Sequence, residues 1–253
     1  KSDELEDFLK ENAMRWKTSF TFVQLSEMLY VLKRLKYLEA GNEGILKRKF
    51  KDVIKIPLLV ANESTDSNLG RNTLFELRLA AKCAFAGYKV NLMENHPDIL
   101  LDTGNRKYAI ECKRIYKPDT FLRNIKEAKD QLLENSLGKL ARRGLIAVSV
   151  TRAFNSGGTK KLVGKTAQSV ATSAGDELGN LYKTYETEIN QILPYQIPGI
   201  LLDFSDIAEV EMPYWVQQLL FAKLANNGSN RVLRDLDALT NCERQAIESS
   251  TIQ

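Results

Sequence analysis

Asp98, Glu111 and Lys113 are the residues whose types and spacing could support chemistry. Two carboxylates held close together call for a cation, and carboxylate oxygens suit hard divalent ions such as Mg²⁺ or Mn²⁺. A bound metal of this kind lowers the pKa of its water and neutralises charge on a phosphoryl oxygen. A neighbouring lysine can orient the attacking water or stabilise the transition state. The chemistry within reach of this set is therefore attack of water at a phosphoryl centre.

A predicted β-hairpin over residues 96–114 brings the three side chains together. Two short apolar runs flank a polar segment centred on a Gly-Asn dipeptide, and a two-residue loop of this type is a hairpin signal. With that loop, facing residues have numbers that sum to 209, so Asp98 faces Glu111. Opposed like charges repel, which is why the pair needs a cation. Lys113 shares the face of Glu111 because side chains alternate along a strand.

Two further polar residues of the hairpin have simpler interpretations. Asp102 is a second acid on the face of Asp98, but the register sets it opposite Lys107, where an ion pair accounts for it. His96 is the one histidine of the chain. A lone histidine is more often structural, and contact of His96 with metal or substrate is left open beside that interpretation.

A third carboxylate is expected from a helix that precedes the hairpin. The sequence of Thr73–Ala86 is apolar nearly all round, which is typical of a buried helix. Arg78 and Lys82 would define its solvent side, so Glu76 would point inward, where a carboxylate needs a cation or a donor. A salt bridge or a favourable helix dipole would also satisfy it. Glu76 is therefore a candidate metal ligand, and a backbone carbonyl near Cys112 could complete the shell.

The hairpin motif resembles that of the PD-(D/E)xK nuclease superfamily, with the restriction-endonuclease-like fold: Pro97-Asp98 followed by Glu111-Cys112-Lys113. The predicted order of elements between residues 72 and 150 is similar to the α-β-β-β-α-β core of that fold. The resemblance implies that Asp98 and Glu111 bind the metal and that Lys113 assists hydrolysis of a phosphodiester. It covers about a third of the chain.

Two details concern branches of that superfamily. A carboxylate on the first core helix is common among its members, and Glu76 fits that feature. Some exonuclease branches carry Gln and Tyr four residues apart on the second helix. Gln131 is present as a candidate supporting residue, but Asn135 stands where the tyrosine would be, so the exonuclease branch is not supported.

The whole chain predicts an α/β fold with a mixed sheet flanked by helices. The predicted strands are Lys89–Glu94, the two hairpin strands, Leu145–Val150 and Gly199–Phe204. The predicted helices are residues 1–60, Thr73–Ala86, about 120–135, Asp176–Leu193, Pro213–Asn226 and Arg231–Leu239. We divide the chain into an N-terminal helical region (1–65), a nuclease-like core (66–205) and a C-terminal helical extension (206–253).

The N-terminal region contains an apolar helix stripe and a basic run. Leucines and a phenylalanine at steps of three and four predict one apolar helix stripe: Phe22, Leu25, Leu29, Leu32 and Leu35. The basic run Lys47-Arg48-Lys49 could contact phosphate, but a solvated helix face is the preferred interpretation.

Charge is distributed very unevenly along the 253 residues, whose net charge is +4. Residues 103–165 hold 15 basic and 5 acidic side chains, whereas residues 166–253 hold 5 and 12. A basic excess around the hairpin favours a polyanion such as nucleic acid. The candidate side chains for the phosphate backbone are Lys107, Arg114, Lys117, Arg123, Lys160 and Lys161. The acidic C-terminal part should avoid DNA and offer a surface to a protein partner or a second copy in a homodimer.

Composition excludes several other classes. Three widely spaced cysteines without a CxxC argue against a cysteine zinc site and favour a reduced, cytoplasmic protein. One histidine excludes sites that need several. No apolar run or leader-like segment suggests a membrane protein. We therefore expect a Mg²⁺- or Mn²⁺-dependent nuclease, foremost a DNA endonuclease, and as the alternative a non-cleaving nucleic-acid-binding or interaction module with the same fold.

Overall fold

A computed structural model describes residues 25, 27–38, 40–55, 69–154, 162–209, 215–225, 228–237 and 240. Its helices are α1 (residues 27–34), α2 (Glu43–Val53), α3 (Leu69–Phe85), α4 (Phe121–Asn135), α5 (Thr151–Phe154), α6 (Ala167–Ile192) and α7 (residues 230–237). Its strands are β1 (Lys89–Leu92), β2 (Ile99–Asp102), β3 (Lys107–Arg114), β4 (Arg143–Ser149), β5 (Leu162–Val163), β6 (Gly199–Glu209) and β7 (Trp215–Leu224).

The strands form one mixed sheet, as the sequence predicted. Its order is β1-β2-β3-β4-β6-β5, and β7 pairs with β6. The β1-β2-β3 meander is antiparallel, and β4 and β6 add in parallel to β3. Helix α3 packs on one face of this sheet, while α4 and α6 pack on the other.

The hairpin register is confirmed. Asp102 pairs with Lys107 and Ile99 with Ile110, so each pair of numbers sums to 209. The two-residue loop is closed by a hydrogen bond from the Thr103 amide to the Arg106 carbonyl, 2.9 Å long. The register matters for the site because a slip of one residue would turn Glu111 to the opposite face of the sheet.

The apolar stripe of α4 buries against the sheet as its spacing indicated. Phe121, Ile125, Ala128 and Leu132 lie at helical steps of three and four, and all four are fully buried. The stripe fixes the rotation of the helix about its axis. It therefore also decides which polar side chains of α4 reach the end of β3.

Helix α3 is buried as expected, but the prediction of its solvent side was wrong. Arg78 and Lys82 are buried. Arg78 forms ion pairs with Asp203 on β6 and with Glu27 on α1. These acids come from distant parts of the chain, so the pattern within the helix could not reveal them. The helix also begins at Leu69, four residues before the predicted Thr73.

The predicted apolar stripe of the N-terminal helix points outward. Leu25, Leu29 and Leu32 are each about half exposed (51%, 53% and 49%), whereas Val31 is fully buried. Helix α1 instead packs through the face that carries Glu27, which pairs with Arg78. Phe22 lies outside the described residues, and the side chain of Leu35 is likewise not described.

The C-terminal extension is not wholly helical. The predicted helix Pro213–Asn226 was wrong, because strand β7 occupies this region and pairs antiparallel with β6. Its Leu220 packs on the α3 side of the sheet, while Leu219 and Phe221 pack on the α6 side. A short run that is apolar on both faces cannot be assigned to helix or strand by periodicity alone.

Two other elements, β6 and α6, are longer than predicted. Strand β6 runs to Glu209 instead of Phe204, and α6 begins at Ala167 instead of Asp176. Thr166 caps α6 reciprocally with Ser169, with both bonds 3.1 Å long. None of the helices in the described ranges combines the length and apolar character that crossing a membrane requires.

The Arg78–Asp203 pair yields a stability prediction. Replacing Asp203 with Ala should lower the free energy of unfolding by about 3 kcal/mol, because it leaves a buried guanidinium short of one partner. Urea denaturation measures the change. Asp176→Ala, on the exposed side of α6, is the matched control and should stay within about 0.5 kcal/mol of the wild type. An equal, small loss in both variants would contradict the role of the pair.

Candidate active site

Glu111 lies at the centre of the site, on the second half of β3. Its side chain is only 1% exposed, on the sheet face that α4 covers. Lys113, two residues along, has its Nζ 3.8 Å from Glu111 Oε1 and 2.8 Å from Glu127 Oε1 on α4. The predicted shared face of Glu111 and Lys113 is therefore confirmed. The other oxygen of Glu111, Oε2, is buried and has no hydrogen-bond partner among the described residues.

Asp98 reaches the same point from the start of β2. Its Oδ2 accepts a hydrogen bond of 2.7 Å from the backbone amide of Cys112. This amide lies between Glu111 and Lys113 in the chain, so the bond anchors the Asp98 carboxylate beside both. The charge of Asp98 raises the pKa of Glu111, as expected for two carboxylates that lie near each other.

His96 and Gln131 support Glu111 from the solvent side. His96 Nδ1 lies 2.9 Å from Glu111 Oε1, and His96 Nε2 lies 3.3 Å from Gln131 Nε2. With a neutral imidazole, Nδ1 donates to Glu111 and Nε2 accepts from the Gln131 amide. Gln131 thus lies beside the site, as predicted, and acts through His96. The histidine is a neighbour of a candidate catalytic carboxylate, which its isolation in the sequence did not indicate.

Glu76 approaches the site from the other face of the sheet. It forms an ion pair with Lys49 of α2, and both side chains are largely buried, 13% and 14% exposed. The expectation that Glu76 would need a cation or a donor is confirmed, and the structure supplies the salt bridge that was the alternative to a metal ion. Lys49 belongs to the basic run whose preferred interpretation was a solvated face. For Lys49 that interpretation was wrong, although Lys47 of the same run is exposed.

Burial raises the pKa values of all three carboxyl groups, and the charge of Asp98 adds to the shift of the other two. Desolvation, followed by the charge of Asp98, raises the pKa of Glu76 to about 7 and that of Glu111 to about 8. The pKa of Asp98 is also raised by desolvation, although the hydrogen bond from the Cys112 amide and the charges of Lys49 and Lys113 oppose the shift. The buried Cys112 thiol has its pKa raised for the same reasons. Ionisation of all three carboxyl groups at once is therefore unfavourable in this poorly solvated region.

Comparison with known proteins does not assign the chain to a family. No family model, curated protein or solved structure matches the chain. Function must therefore be argued from the site itself.

The carboxylates do not form a ready-made cage. Within the described ranges, no three His, Cys, Asp or Glu side chains converge as a metal-binding group. The sheet explains this, because Glu111 projects toward α4 while Glu76 is carried by α3 on the other face. Asp98 and Glu111 are the two carboxylates that one ion could share. Mg²⁺ is commonly held by one or two carboxylates and retains several waters, so a pair of this kind suits it.

The predicted nucleic-acid-binding residues do not all lie near the carboxylates. Arg114 and Lys117 follow Lys113 at the carboxyl end of β3, and Arg123 is exposed on α4. Arg114 Nη1 also lies 3.3 Å from the Tyr116 hydroxyl. Lys107 lies at the other end of β3 and faces Asp102, with 3.9 Å between Nζ and Oδ2. Lys160 and Lys161 lie outside the described residues.

The raised pKa values predict how stability depends on pH when no divalent metal is present. Between pH 4.5 and about 8 the folded Glu111 holds its proton more tightly than the unfolded chain does. The free energy of unfolding should therefore fall as the pH rises through this window. Urea midpoints in EDTA at pH 5, 6.5 and 8 measure the trend. Glu111→Gln should reduce the slope, while Glu76, with its pKa of about 7, still contributes to it, and an unchanged slope would contradict the assignment.

Lys49 gives a second prediction. Lys49→Met keeps the alkyl chain but removes the charge that faces Glu76, so the variant should lose about 1–3 kcal/mol of stability at pH 8.5. The loss should be smaller at pH 5.5, because there Glu76, with its pKa of about 7, is protonated. Lys47→Met, on the exposed side of the same helix, is the control and should change little. Equal losses at both pH values would argue against the ion pair.

Proposed function

We propose that the protein is a metal-dependent nuclease that hydrolyses phosphodiester bonds in nucleic acid, foremost a DNA endonuclease. One observation carries the proposal: the buried Glu111 carboxyl, with an unpartnered oxygen, lies beside Asp98 and Lys113 at the end of a central strand. A buried carboxylate in this state is costly unless a cation or donor completes its environment. A hydrated divalent ion would supply that charge.

Asp98 and Glu111 are the residues that would hold Mg²⁺ or Mn²⁺. Bound there, the ion would supply an activated water and neutralise charge at a phosphoryl oxygen. Glu76 contributes negative potential from the opposite face of the sheet, and its charge raises the pKa of Glu111. The candidate ligand role of Glu76 would require it to exchange Lys49 for the metal, and the Cys112 carbonyl retains the supporting role proposed for it.

Lys113 is placed to stabilise negative charge near the reacting phosphate. Its ammonium lies between Glu111 and Glu127, 2.8 Å from the latter, and it is 13% exposed. An ammonium held in this way can orient water or stabilise negative charge that develops during hydrolysis. His96 and Gln131 orient Glu111 through their chain of contacts. Arg114, Lys117 and Arg123 offer positive charge for the phosphate backbone on either side of the scissile bond.

The order of elements also supports the proposal. Helix α3 is followed by the β1-β2-β3 meander, α4 and β4, which is the order of the restriction-endonuclease-like core. Pro97-Asp98 immediately precedes β2, and Glu111-Cys112-Lys113 lies in β3, which supports the resemblance. The α/β fold alone does not decide function, so the site residues carry the weight.

Cleavage of supercoiled plasmid in Mg²⁺ or Mn²⁺ tests the proposal. The wild type should nick or linearise the DNA, and EDTA should abolish this. Asp98→Asn keeps an acceptor for the Cys112 amide but removes the charge, and it should lower the rate by at least about a hundredfold. Lys113→Met should cause a loss of similar size.

Asp102→Asn is the matched control for these variants. Asp102 lies on the same hairpin and pairs with Lys107, away from Glu111, so its loss should leave cleavage near the wild-type rate. Cleavage that survives both Asp98→Asn and Lys113→Met would exclude this site. DNA binding without any cleavage by the wild type would favour the non-cleaving module.

A further inference from the structure

A second basic surface lies at the end of the sheet opposite the carboxylates. One depression of about 540 Å³ is lined by five cationic residues: Arg106, Lys107, Lys139, Arg142 and Arg143. A neighbouring depression of about 470 Å³ is lined by Arg231 and Arg234 of α7. The two share Asn105 and Arg106, so they form one continuous region, which we call the distal basic surface.

The positive charge of this surface is poorly compensated. Across both depressions the lining includes seven cationic residues and one acid, Asp235. Asp235 Oδ2 is already engaged, 2.8 Å from Arg106 Nη1 and 2.6 Å from the Tyr108 hydroxyl. Arg142 and Arg234 are exposed and make no ion pair with the described part of the chain. A concave surface with free guanidinium groups attracts anions, phosphates above all.

Part of the surface is held in a fixed geometry. The Arg106 guanidinium is anchored by Asp235 and by the Arg231 carbonyl, at 3.2 Å. Arg143 donates to the Tyr195 carbonyl and lies over the Tyr195 ring. These contacts tie the hairpin loop to α7 and the start of β4 to the loop before β6. The positive groups therefore come from three separate parts of the chain and meet on one rigid face.

The segment predicted to avoid DNA contributes to this surface. Residues 166–253 carry an acidic excess, yet Arg231 and Arg234 of that segment meet the hairpin loop. The net charge of a sequence segment therefore does not give the charge of the surface to which that segment contributes. The distance to the carboxylates follows from β3, since four residue steps lead from Lys107 to Glu111 and span ~13 Å at ~3.3 Å per residue.

We propose that the distal basic surface is a second contact for the phosphate backbone of the nucleic acid, ~13 Å from the catalytic carboxylates. The proposal rests on the nuclease assignment for the identity of its ligand. A separation of ~13 Å corresponds to about four steps of a duplex at ~3.4 Å each, so the surface would bind DNA beyond the scissile bond. Its role is to increase affinity and hold the duplex without base-specific contacts.

Salt-dependent DNA binding tests the proposal in the full chain. Anisotropy of a labelled 40-base-pair duplex is measured in EDTA, where cleavage does not interfere, over ~50–200 mM salt. Arg142→Ala/Arg234→Ala should weaken binding about tenfold and reduce the slope of log K against log salt by about 1.8, the value for two lost phosphate contacts. Arg142→Lys/Arg234→Lys keeps the charge and should retain most of the slope.

Lys51→Ala/Lys183→Ala is the control, since it removes two positive charges from exposed sites on α2 and α6. It should leave the slope unchanged. If both alanine pairs bind DNA like the wild type while plasmid is still cut, the distal surface is refuted and the nuclease assignment stands. If binding depends on Arg142 and Arg234 but no variant or wild type cuts DNA, the nuclease assignment fails and the surface stands. A wild type that neither binds nor cuts DNA would overturn both.

Discussion

The site depends on the burial of one carboxyl group, that of Glu111, beside a second carboxylate. Desolvation and the charge of Asp98 raise the pKa of Glu111 to about 8, so ionising it in the folded protein is unfavourable. Three neighbouring side chains offset this unfavourable free energy. The Lys113 ammonium lies on the same sheet face as Glu111, and His96 donates a hydrogen bond to Glu111 from the solvent side. On the other face of the sheet, Lys49 neutralises the charge of Glu76. Carboxyl groups with pKa values perturbed by burial and by a neighbouring charge are typical of functional sites.

Much of this arrangement follows from local sequence. A Gly-Asn loop between apolar runs set the hairpin register, which faces Asp98 with Glu111, and strand alternation put Glu111 and Lys113 on one face. Helical spacing of Phe121, Ile125 and Leu132 oriented α4 correctly, which put Gln131 beside the site. These features were predictable because turn geometry and periodicity act between residues close in the chain.

The remainder depends on contacts between distant segments. Lys49 and Glu76 are 27 residues apart, and Arg78 and Asp203 are 125 residues apart, so no local pattern pairs them. The same limit explains why Arg78 was assigned to the solvent side. It also explains the distal basic surface, which joins residues of β3, β4 and α7. The carboxylates of Glu76 and Glu111 proved to lie on opposite faces of the sheet, which the register of one hairpin could not indicate.

Direct measurement of metal binding tests the central claim, which is that Asp98 and Glu111 form a divalent-cation site. Mn²⁺ is titrated into the protein at pH 8, and the free ion is followed by electron paramagnetic resonance. The wild type and Asp102→Asn should bind Mn²⁺ with the same affinity, whereas Asp98→Asn should weaken binding at least about tenfold, in line with the loss of one of two carboxylate ligands. Mn²⁺ binding that is absent from the wild type, or unchanged in Asp98→Asn, would contradict the account.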